Sequence, residues 1–80
     1  MTPEKADKII AARLGVKNAS RDRNQLAEAE EQLTEEQRDA YLNTLSRIAG
    51  QQDKELFWFI RHVPPAICAV CLAEVLEEVK

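Results

Sequence analysis

From Pro65 to Val79 only Glu74, Glu77 and Glu78 are charged, and every other position is apolar. The glutamates fall at i, i+3 and i+4, one narrow stripe of a helix. A helix apolar around the rest of its circumference has to be covered around the rest of its circumference. It is too short to cross a bilayer, which takes about 20 apolar residues. Everything before it must therefore supply its coat. The expected fold is all-α, a compact bundle of four to five short helices around an apolar C-terminal helix, forming a single domain over residues 1–80.

The preceding segments read as that coat. Thr2-Pro3-Glu4 is a helix start: a capping hydroxyl, a proline suited to the first turn and a carboxylate at the positive helix end. Gly15 is a natural stop, so the first helix is expected over 3–14. Residues 15–20 read as a turn, with Asn18 or Ser20 capping a second, polar helix over 20–32. Thr34-Glu35-Glu36-Gln37 is a capping box. Tyr41, Leu42, Leu45, Ile48 and Ala49 follow on one helical face, and Gly50 is the expected end. Asp53 is the expected cap of a fourth helix over 53–62, which carries Leu56-Phe57-Trp58-Phe59-Ile60. Pro64 breaks it, and Pro65 opens the last helix over 65–79.

The thin apolar stripes of the first two helices raise the question of whether they cover both the last helix and the aromatic run. An uncovered apolar patch usually marks a partner surface. Phe57, Trp58 and Phe59, flanked by Arg61, are therefore the candidate partner-binding residues. The last helix offers a second candidate surface, a homodimer contact through Val70, Leu72, Val75 and Leu76.

Charge is distributed unevenly. Residues 1–25 carry Lys5, Lys8, Arg13, Lys17, Arg21 and Arg23 against Glu4, Asp7 and Asp22, a net of +3, and residues 26–80 carry a net of −6. A basic head suits nucleic acid or an acidic protein. Residues 10–26 resemble a helix-turn-helix, with Arg13, Lys17, Arg21 and Arg23 as candidate DNA contacts. The register is imperfect, because Ser20 or Arg21, and Asn24, stand where the second helix needs apolar residues. Glu28, Glu30, Glu31, Glu35, Glu36 and Asp39 could form a carboxylate face mimicking nucleic acid, or simply a solvated exterior.

Cys68 and Cys71 form a C-x-x-C, and His62 is the only histidine. A zinc site needs four ligands, so these three would have to be completed by a second chain. A redox pair of the thioredoxin kind needs strands, and no segment has strand periodicity. Two small buried hydrophobes are the simpler reading. With no further cysteine there is no disulfide framework, as suits a reducing compartment. No nucleophile elbow, zinc-protease motif, phosphate loop or calcium loop occurs. The chain is expected to be a non-enzyme without a cofactor. The start MTPEKADK lacks the apolar stretch of a secretory signal, so a cytoplasmic protein is expected, with no membrane association.

Leu33–Gly50 (LTEEQRDAYLNTLSRIAG), followed by a short aromatic helix and Pro64-Pro65-Ala66-Ile67-Cys68, resembles small accessory proteins of bacteriophages and prophages. That resemblance implies a small inhibitor or adaptor that binds a host or phage macromolecule. The expected function is thus protein–protein interaction through an aromatic helical face. DNA binding through residues 10–26 is the alternative, and a zinc or redox role for the C-x-x-C pair a second one.

Overall fold

A computed structural model describes residues 1–79. It contains five helices and, among the described residues, no strand: α1 (Pro3–Leu14), α2 (Arg23–Glu31), α3 (Glu35–Gln51), α4 (Leu56–His62) and α5 (Pro65–Glu78). The all-α expectation holds.

Helix α5 is the central element. Cys68, Ala69, Cys71, Leu72, Ala73, Val75 and Leu76 are all buried on it. At 100° per residue they cover roughly 200° of its circumference, against which α1, α2 and α3 pack. The thin stripes of α1 and α2 suffice because the facing positions are small. Ala6, Ala19, Ala29, Ala49, Ala69 and Ala73 are all buried, and side chains of that size let helix axes approach closely. Ile10, Leu26, Leu45 and Phe59 fill the remaining space. Leu72, Val75 and Leu76 are therefore occupied within the chain, and Val70 is half-buried. The three buried side chains are core residues and not homodimer contacts.

The ends of α1 and α3 follow local chemistry. Thr2 caps α1 by accepting from Lys5 N, and Gly15 closes it in the left-handed region at φ 70°. The capping box of α3 is complete: Gln37 N donates to Thr34 Oγ1 at 3.2 Å, and Thr34 N donates to Gln37 Oε1 at 3.0 Å. The amide of the same glutamine donates to Val79 O at 3.1 Å. One side chain thus joins the start of α3 to the end of α5. Thr34→Ala is expected to cost about 1 kcal/mol and to lower the melting temperature by about 4–8 °C; circular dichroism melting checks it.

Three boundaries differ from expectation. Helix α2 begins at Arg23, capped by Asp22, which accepts from Asn24 N at 2.9 Å. Ser20 is unavailable as a cap, since its N–H and hydroxyl donate to the Asp7 carboxylate at 2.9 and 2.6 Å. Asn18, at φ 60°, makes the turn before it. Helix α3 runs through Gly50, and the left-handed position falls on Asp53 at φ 56°. Asp53 is thereby removed as a cap, and Glu55 caps α4 instead. Helix α4 leans on α3 and meets α5 at 113° through the Val63-Pro64 break.

Candidate functional site

On α4, Leu56, Phe59, Ile60 and the following Val63 are spaced at i, i+3, i+4 and i+7 and turn toward the body of the protein. Phe57, Trp58, Arg61 and His62 occupy the opposite face. Exposure divides the aromatic triplet accordingly: Phe57 is 70% exposed, Trp58 45% and Phe59 1%. Phe59 is a core residue, which corrects its assignment as a partner contact.

Polar contacts organise the outer face. Both Glu55 carboxylate oxygens are occupied, accepting from Phe57 N and Trp58 N at 3.1 Å each. The His62 ring stacks on the Trp58 indole, with centroids 4.4 Å apart and planes 14° from parallel. His62 Nδ1 lies 2.8 Å from Trp58 O, four residues back along the helix. Lys54 Nζ sits 4.8 Å from the Trp58 ring centroid, within cation–π range. Glu55, Phe57, Trp58, Arg61 and His62 line a shallow cleft of about 420 Å³. The indole thus has two intramolecular neighbours, the stacked His62 ring and the Lys54 ammonium group, and contacts of this kind restrict the side-chain freedom a partner would otherwise have to remove.

The residues of the helix-turn-helix reading are arranged differently. Eight residues, 15–22, separate α1 from α2, where that motif uses a turn of three or four. Val16 and Ala19 in this connection are buried. Arg13 donates to Leu76 O at 3.2 Å. Arg23 donates to Ile60 O at 3.2 Å and also to Val63 O. Each guanidinium thus satisfies carbonyls near the C-terminal end of another helix, where the last C=O groups lack intrahelical partners. Lys17 and Arg21 are exposed on the connection.

Cys68 and Cys71 are free, buried thiols. Burial pushes both thiols up, Cys71 to about 11 with Glu74 adding to the rise. A thiol held protonated is a poor nucleophile and a poor metal ligand. Among the described residues, no three His, Cys, Asp or Glu side chains converge as a metal site would require; His62, which lies on the outer face of α4, does not complete a cluster with the two thiols. Of the six clustered carboxylates, Glu30 is committed internally, accepting from the Tyr41 hydroxyl at 2.6 Å. Glu28, Glu31, Glu35, Glu36 and Asp39 are exposed. Among the described residues, no single helix is long and apolar enough to cross a membrane.

Family models, curated proteins and solved structures yield no match to this chain. The likeness of Leu33–Gly50 to phage accessory proteins draws no support from them.

Proposed function

We propose that this protein is a non-enzymatic interaction module that binds another protein through the outer face of α4. One observation carries the reading: the side-by-side exposure of Phe57 and Trp58 on a helix whose opposite face is anchored in the core. An exposed phenylalanine alone is ordinary. Here it adjoins the only tryptophan of the chain, a residue type over-represented among interface hot spots. The raised thiols of Cys68 and Cys71 and the internal commitments of Arg13 and Arg23 leave the competing chemistries with less to work with.

The test is affinity capture from nuclease-treated bacterial lysate with the wild-type chain and with Trp58→Ala. Truncating a hot-spot tryptophan costs at least about 2 kcal/mol of binding, roughly thirtyfold in affinity. The variant is expected to lose a salt-resistant, stoichiometric protein band while keeping its helical signal and nearly its melting temperature. A band retained undiminished by Trp58→Ala removes α4 as the binding face.

A further inference from the structure

We infer that Arg23 is a clamp that holds the C-terminal half of α4 across a cleft and so fixes the direction in which α4 presents its outer face. The clamp stands on contacts within the chain; what it aims rests on the interaction reading above. Helix α4 lies between two non-helical segments. Asp53, in the left-handed region, precedes it, and Val63 and Pro64, both extended, follow it. Such positions at the ends of an element are where a short helix swings. Helix α4 packs on α3. Within it only Phe59 is buried, with Val63 just beyond, while Leu56 and Ile60 are half-buried. On the side of α2 lies a cleft of about 290 Å³, with Leu26, Ala27 and Ile60 along its walls and Cys68 on its α5 side.

Arg23 crosses that cleft. From the first turn of α2 its guanidinium donates to Ile60 O at 3.2 Å and to Val63 O. The sequence leaves the first of these carbonyls without a helical partner, because the residue four places on is Pro64, which has no N–H. The N–H of Ile67, four places after Val63, is given to Pro64 O instead. A planar fork reaches two carbonyls at once, which a lysine ammonium on its flexible stem does not do with the same geometry. The carboxylates nearest in sequence and in the cleft have other partners: Asp22 accepts from Asn24 N, and Glu30 from the Tyr41 hydroxyl. With the clamp closed, Cys68 is covered, and Phe57 and Trp58 are the only large apolar side chains that α4 exposes. With it released, Phe59 stays seated while the far end of α4 lifts from α2 and uncovers Ile60 and Cys68. The clamp therefore decides which apolar surface this end of the molecule shows.

The two thiols make a built-in comparison. Cys68 faces this cleft, whereas Cys71 faces a separate groove between α3 and α5 that no residue of α2 or α4 lines. Labelling of the full chain by a maleimide is followed at each thiol by mass spectrometry, in wild type, Arg23→Gln, Arg23→Lys and Thr34→Ala. Arg23→Gln is expected to speed Cys68 labelling about tenfold or more and to leave Cys71 within about twofold, the scale of losing hydrogen bonds from a charged donor. Arg23→Lys, which keeps the charge without the fork, should fall between Arg23→Gln and wild type. Thr34→Ala weakens the fold from the opposite end of α3 and should speed both thiols by the same factor. An unchanged Cys68 rate in Arg23→Gln, both thiols accelerating together in that variant, or Cys68 singled out equally by Thr34→Ala overturns the clamp. Arg23→Lys labelling as slowly as wild type overturns it too, since charge alone would then suffice. The assay contains no partner, so its failure leaves the interaction reading standing. Capture insensitive to Trp58→Ala removes that reading and, with it, what the clamp aims.

Discussion

Phe59→Ala is expected to leave the chain largely unfolded at 25 °C, while Phe57→Ala, two residues earlier on the same helix, melts within a few degrees of wild type. The two phenylalanines are chemically identical and differ in where α4 turns them. Phe59 is among the largest fully buried side chains, and Phe57 is 70% exposed. Truncating a buried phenylalanine costs about 3–5 kcal/mol, because the lost transfer energy is joined by a cavity that small cores close poorly. A chain of this length has a total stability of about 3–5 kcal/mol, so one such cavity consumes most of it. Truncation at an exposed site shifts stability by about 0.5 kcal/mol or less. Urea titration followed by far-ultraviolet circular dichroism separates the cases. A cooperative transition for Phe59→Ala at nearly the wild-type midpoint would show that this ring is not the anchor of α4.

That division was legible in the sequence, though only on one way of reading it. Taken as a run, Leu56-Phe57-Trp58-Phe59-Ile60 is a single apolar block with no face. Taken at helical spacing with Val63, the set Leu56, Phe59, Ile60 and Val63 is a core stripe, and Phe57, Trp58, Arg61 and His62 are what remains outside. The central helix, the capping box at Thr34 and the stop at Gly15 were equally legible, because each depends on neighbours within a few residues. The boundaries that shifted depend on distant partners. Ser20 can cap a helix in isolation, but here Asp7, thirteen residues away, takes its hydroxyl. Arg23 looks free in sequence and ends on carbonyls of Ile60 and Val63. The sufficiency of the coat was hidden for a similar reason. Whether alanine stripes cover a helix depends on how closely two axes approach, a property of pairs of helices rather than of either one.

Alkaline unfolding is the second large effect expected, and a single residue reports it. Tyr41 is the only tyrosine and is 2% exposed, with its hydroxyl donating to Glu30 at 2.6 Å. Burial pushes its pKa well above the ordinary tyrosine range, and neighbouring Cys68 and Glu30 push the same way. Ionised in place, it would set a phenolate against a carboxylate away from water. The unfolded chain has no such obstacle and releases the proton near pH 10. Below that, Tyr41 is protonated in both states and stability does not depend on it. Above it the unfolded state is favoured by about 1.4 kcal/mol per pH unit for each proton the folded state retains. The Cys71 thiol, raised to about 11, adds its own loss starting near pH 9, and Cys68, also raised, acts in the same direction. Against about 3–5 kcal/mol of total stability, cooperative unfolding is expected before about pH 12. Phenolate absorbance at 295 nm should therefore rise together with loss of helical ellipticity, and not ahead of it. Tyr41→Phe should reduce the slope of stability against pH above pH 10, even though its loss of the Glu30 contact lowers stability at neutral pH. Phenolate appearing near pH 10 with ellipticity intact would place Tyr41 in contact with water and remove the buried pair as the cause.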